Sequence, residues 1–102
     1  MIARVWRGWT ERRNANAYEQ VFKTIVLPEL EAVAGCSGAY LLRRESEDEV
    51  EFLVLTLFES LSALRDFAGQ DYEFAVISPE AKQVLKRFEE RPTHYEMVLA
   101  KQ

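Results

Sequence analysis

The sequence predicts an α+β fold of ferredoxin-like split βαβ type, a four-stranded antiparallel sheet with helices on one face, as a single domain over residues 1–102. Three observations predict it. Strand-like and helix-like segments follow in the order β-α-β-β-α-β, with a short extra helix before the last strand. The two middle strands are separated only by an acidic turn, as in a hairpin. Right-handed crossovers then put both main helices on the same side of the sheet.

Each element has its own signal. Residues 2–9 read as a strand through Ile2, Val5, Trp6 and Trp9, ending at the polar run Thr10-Glu11-Arg12-Arg13-Asn14. Tyr18, Val21, Phe22, Ile25, Val26, Leu30 and Val33 then recur at spacings of three and four and share one helix face. Asn14 or Asn16 is placed to cap this helix, Asn16 and Glu19 have capping-box spacing, and Gly35 is placed to end it. Pro28 removes a backbone donor inside it, which predicts a kink or local loosening. Strands over 37–45 and 50–58 flank the turn Glu45-Ser46-Glu47-Asp48-Glu49. Ser60 caps a helix over 61–68, closed by Gly69. Residues 70–77 read as a loop with a short helical turn. Ser78-Pro79 opens a further helix over 79–88 with Ala81, Val84, Leu85 and Phe88 on its apolar face, and 92–100 is the fourth strand.

Composition narrows the function classes. Thirteen Lys and Arg against seventeen Asp and Glu give a net charge of −4, without the basic stripe of a nucleic-acid binder. No apolar run is long enough to span a bilayer, and the start of the chain lacks a signal-peptide layout. The single Cys36 forms no internal disulfide and has no histidine beside it, so an inert thiol in a cytoplasmic protein is expected. Zinc-type Cys/His spacing, phosphate loops and G-x-S-x-G are absent, so no metal site is expected.

The third strand, Phe52-Leu53-Val54-Leu55-Thr56-Leu57-Phe58, is apolar on both faces. Strand one carries Trp6 on one face with Val5 and Trp9 on the other, and Tyr40, Leu41 and Leu42 continue the pattern. An antiparallel sheet with helices on one face would leave that second surface in water. A second copy of the chain, packed sheet to sheet in a homodimer, is the simplest cover, with a larger hetero-complex as the alternative.

The segments Ile2-Ala3-Arg4-Val5-Trp6-Arg7-Gly8, Val26-Leu27-Pro28-Glu29-Leu30, Gly38-Ala39-Tyr40-Leu41-Leu42-Arg43-Arg44, Thr56-Leu57-Phe58-Glu59-Ser60 and His94-Tyr95-Glu96-Met97-Val98 resemble the antibiotic biosynthesis monooxygenase superfamily. The resemblance spans the chain and implies a dimeric α+β barrel with a pocket between sheet and helices in each subunit. It also implies oxidation of small aromatic or quinol-type molecules by O₂ without a bound cofactor. Haem-degrading relatives carry an asparagine, a tryptophan and an iron-binding histidine where this chain aligns Trp6, Phe67 and Ile77, so that chemistry is not expected here.

A cofactor-free oxygenase needs a dry pocket, a base and donors for the resulting anion. His94, the only histidine, is the candidate base if it faces the pocket and a solvated strand-edge residue if it does not. Arg4 and Trp6 share a strand face, as anion holder and stacking wall or as core residues. Phe67 and Tyr72 are candidate pocket walls, whereas Arg7 and Trp9 fall on the expected dimer face. An enclosed pocket of several hundred Å³ is the expectation for an enzyme. A ligand-binding module without turnover and a structural dimer remain the alternatives.

Overall fold

The computed structural model describes residues 1–101. Strand β1 (Ile2–Glu11) leads through a 3₁₀ turn (Arg12–Asn14) into α1 (Ala15–Val21), a π-helical segment (Phe22–Val26) and α2 (Leu27–Glu31). Strands β2 (Cys36–Glu45) and β3 (Glu49–Phe58) follow, then α3 (Leu61–Ala68), α4 (Pro79–Val84), β4 (Arg87–Phe88) and β5 (Thr93–Glu96). β3 pairs antiparallel with both β1 and β2, while β4 and β5 share the outer edge of β1. This is the expected α+β ferredoxin-like arrangement, with the last strand in two pieces.

The first helix runs unbroken through Pro28 because the turn before it widens. A proline ring collides with the carbonyl four residues back, here that of Thr24. The π segment removes the conflict: Leu27 N–H reaches back five residues to Phe22 O, and the Thr24 hydroxyl donates to Gln20 O at 2.7 Å. The expected side-chain caps do not form at this helix. Asn16 Oδ1 and Glu19 Oε2 instead both accept from Arg43 of β2, tying the helix to the sheet. Ser60 and Ser78 do cap, each accepting at 3.1 Å from the N–H three residues on, Ala63 and Ala81.

Two expectations at the C-terminal end are corrected. The helix expected over 79–88 stops at Val84, because Leu85 turns extended (φ −83°, ψ 133°). Lys86 N–H then donates to Trp9 O at 2.7 Å and Glu89 N–H to Arg7 O at 2.9 Å. The unpaired edge of β1 thus recruits residues whose apolar spacing reads as helical. The strand expected over 92–100 is only Thr93–Glu96, since β1 runs out: Met97 N–H bonds Met1 O, and Val98 and Leu99 beyond it are each 88% exposed.

Strand alternation sorts the sheet into two faces. Arg4, Trp6, Thr10, Val50, Phe52, Val54, Thr56 and Phe58 are buried beneath Tyr18, Phe22, Leu30, Ala63, Leu64 and Ala81. Among the described residues nothing covers the other face. Val5, Trp9, Leu53, Leu55 and Leu57 are half-buried there, and Tyr40, Leu42 and Tyr95 are more than half exposed. Arg87 lies over the Trp9 ring at 3.9 Å and bonds Glu49 at 2.6 Å, giving this face a charged rim.

Gly35 does not cap the first helix with a left-handed turn; it lets α3 approach the chain. A Cβ there would lie 2.4 Å from the Cβ of Ala63. Gly35→Ala is expected to lower stability by about 1–3 kcal/mol. Ala63→Gly in the same chain should restore part of that loss, which urea denaturation of the four chains of the double-mutant cycle would measure.

Candidate functional site

On the helix side of the sheet, Arg4 and Trp6 of β1 and Val54 and Thr56 of β3 form the floor of a cleft. Val26 and Leu30 of the first helix, Tyr18 below them and Phe67 of α3 make its walls. Residues Ala75–Ser78, leading into α4, close the remaining side. The recess with its mouth encloses about 530 Å³, but the interior open to a water-sized group is only about 50 Å³. The enclosed pocket of several hundred Å³ expected from the sequence is therefore not present. Most of the recess is its open mouth, and the interior has room for a few waters.

Trp6 is fixed from three sides. Its Nε1–H donates to Glu89 O at 2.8 Å, and its ring stacks on Tyr18 at 6.3 Å and leans on Phe88 at 6.5 Å. The indole passes over Gly8, where a Cβ would lie 2.4 Å from Cη2. Tyr18 is buried, and desolvation raises its phenol well above the usual value, so the hydroxyl stays protonated and available as a donor.

Arg4 is the unusual group. It is 4% exposed, and no carboxylate pairs with it among the described residues. Nη1 donates to Tyr72 O at 2.5 Å and faces His94 Nε2 at 3.0 Å, and Nη2 donates to Phe74 O at 2.9 Å. The guanidinium lies 6.0 Å from the Phe67 ring centre. Burial lowers its pKa to about 10, which still leaves it charged at neutral pH.

His94 stands behind Arg4 and does not line the cleft. Guanidinium has no acceptor, so His94 Nε2 must accept and the ring proton of the neutral imidazole sits on Nδ1. Its ring meets Tyr72 edge-on at 5.6 Å. Burial first, and then the Arg4 charge, lower its pKa, with Glu73 acting weakly against them. Tyr72 is likewise outside the lining, and it contributes its carbonyl to Arg4 and its ring to His94 and Arg65. Phe74 is nearly half exposed and stacked by Arg91 at 4.6 Å.

The structure thus brings Arg4, Trp6 and Phe67 into one cleft and sets Tyr72 and His94 in the layer that supports Arg4. Sequence reasoning missed Tyr18, because helical spacing reads it as core, and it missed the Ala75–Ser78 wall, because a loop without periodicity carries no face. Thr56 had a signal, being the one hydroxyl in an apolar strand. Its hydroxyl bonds Arg4 O at 3.5 Å. Ile77 lines the cleft.

The sequence profile described as antibiotic biosynthesis monooxygenase matches residues 1–73. No curated protein matches the chain. Among solved structures, a Caulobacter crescentus protein with the provisional description antibiotic biosynthesis monooxygenase superposes with a TM-score of 0.68 at 21% identity, over 98% of this chain and 90% of that one. Rv0793 from Mycobacterium tuberculosis gives 0.64 at 16% identity, over 99% and 98% of the two chains. The haem-degrader MhuD from the same organism, solved with two haems in its active site, gives 0.64 at 20% identity over the full length of both. These likenesses show a shared fold.

A histidine whose folded pKa is lowered stabilises the fold in full above its ordinary value of 6.5, and that contribution is lost as pH falls through the lower folded value. Wild type is therefore expected to lose stability below about pH 6.5, where protonated His94 can no longer accept from Arg4. His94→Gln keeps an acceptor that does not titrate. The difference between the two melting-temperature profiles across that range should isolate the histidine, and parallel profiles would contradict this account.

Proposed function

Because this chain belongs to the antibiotic biosynthesis monooxygenase family, we propose that it oxidises a small aromatic or quinol-type molecule with O₂ in the cleft between sheet and helices. The observation that carries this reading is a buried, unpaired guanidinium in the floor of an otherwise apolar, aromatic-walled cleft. Arg4 favours the anionic form of a bound phenol or enol, and that anion is itself the reductant for O₂. One oxygen atom enters the ring carbon as a carbonyl, the other leaves as water, and the substrate supplies all the electrons. Trp6 and Phe67 hold the ring, and the apolar walls limit water around the reactive anion.

No carboxylate or imidazole lines the cleft among the described residues. His94, the base expected from the sequence, serves in this reading to orient Arg4. A substrate acidic enough to arrive as its anion suits such a site. The same scarcity of bases, with the small interior, favours ligand binding without turnover as the second reading. This reading does not include haem: the cleft lining has no histidine, cysteine or methionine, and the interior is far too small.

We also propose that two chains pack through the uncovered sheet face as a homodimer. The contiguous apolar surface of Val5, Tyr40, Leu42, Leu53, Leu55 and Leu57, ringed by Arg87–Glu49 and Arg44–Glu51 pairs, supports it.

Oxygen-electrode assays with a panel of quinols and anthrones are expected to show one O₂ consumed per substrate, with Arg4→Lys reducing kcat/KM by about 100-fold. Uptake no greater than with heat-denatured protein, alongside ligand-induced thermal stabilisation, would replace catalysis by binding. Sedimentation should give the mass of two chains for wild type and of one for Leu55→Lys, which places a charge in the middle of the apolar face. A monomeric wild type would refute the dimer.

A further inference from the structure

We propose that the cleft recognises a carboxylate, taking a single-ring aromatic acid with its ring against Phe67 and Trp6 and its carboxylate on the free edge of Arg4. This rests on the reading of the cleft as a ligand pocket, though not on turnover.

The argument starts from donor accounting. A guanidinium has five N–H donors. Three are used, by Tyr72 O, His94 Nε2 and Phe74 O. The Nε–H and one hydrogen on Nη2 have no acceptor among the described residues. These two nitrogens are bonded to the same carbon, and paired donors of that kind match the two oxygens of a carboxylate. A residue that merely clamped the 69–78 loop would need donors but no charge. Arg4 brings a full charge into a site with 4% exposure and meets no anion there. An isolated buried charge is costly, and a bound anion relieves that cost.

The rest of the cleft agrees. It contains no acidic side chain to repel an anion, and its other polar side-chain groups are the Trp6 Nε1–H, committed to Glu89 O, and the hydroxyls of Tyr18, Thr56 and Ser78. Ser78 Oγ accepts from Ala81 N–H, and the Thr56 hydroxyl is turned to Arg4 O, so neither competes for the guanidinium. His94 is a neutral acceptor on the opposite side of Arg4 and does not neutralise it. The interior of about 50 Å³, with the recess that opens from it, restricts the occupant to one ring.

Calorimetric titration of the full chain with benzoate, benzamide and acetate tests the proposal. Benzoate should bind at least about tenfold more tightly than benzamide, the size of effect expected for hydrogen bonds to a charged partner. Acetate, lacking the ring, should bind more weakly than benzoate. In Arg4→Lys, which keeps the charge but loses the fork, the preference for benzoate over benzamide should largely disappear. The wild-type comparison stands by itself should that variant fail to fold. Equal affinity for benzoate and benzamide would overturn carboxylate recognition and leave the pocket intact, and so would an undiminished preference in a folded Arg4→Lys. No binding of any probe at millimolar concentration would overturn this proposal and the pocket reading together. Benzoate binding in a protein that consumes no O₂ with quinols would support the proposal and count only against catalysis.

Discussion

A guanidinium held away from water without a counter-ion is among the least favourable groups a small protein can bury, and the chain around Arg4 is arranged by that constraint. Strand alternation sends residue 4 to the helix side together with Trp6. Once there, its charge needs partners from elsewhere in the chain. The carbonyls of Tyr72 and Phe74 supply two and the imidazole of His94 a third. One buried side chain thereby connects β1, β5 and the loop after α3. The wall of the cleft and its polar floor are consequences of the same set of contacts.

Neighbouring residues keep that arrangement rigid. Gly69, with φ 82°, ends α3 and lets the loop fold back. Ala75 N–H bonds Glu90 O at 2.8 Å, so the loop is tied to the segment between β4 and β5 as well as to Arg4. Trp6 is fixed by Glu89 O from that same segment. Breaking the last strand into β4 and β5 therefore has a structural result. The intervening residues leave the sheet edge far enough to hold both the indole and the loop. The other sheet face answers to a different constraint. Its apolar side chains have no helix above them among the described residues.

The fold was readable in the sequence wherever local chemistry and tertiary demand agreed. Ser60 and Ser78 cap as their positions suggest, α3 spans Leu61–Ala68, and β3 shows its two apolar faces directly. Where the two disagreed, the tertiary structure prevailed. Leu85 and Phe88 have helical spacing, yet the unpaired edge at Trp9 and Arg7 draws their segment into the sheet. Asn16 and Glu19 have the spacing of a capping box, yet Arg43 across the interface takes both. Pro28 is absorbed by one widened turn, and the helix continues through it to Glu31.

The sequence by itself determined the α+β class, the strand faces and the pairing of Arg4 with Trp6 on one of them, because a period of two in a strand is a local property. It also determined that one sheet face lacks a cover. Only the tertiary structure decided what surrounds Arg4. His94 is ninety residues away and meets it because β5 pairs with β1 in the register that sets Arg4 opposite His94. Tyr72 and Phe74 meet it through backbone carbonyls, which every residue possesses and no sequence pattern marks. Whether the only histidine faced a pocket or a neighbouring cation was fixed by strand register and loop closure, which are non-local and so lay outside what residue spacing can report.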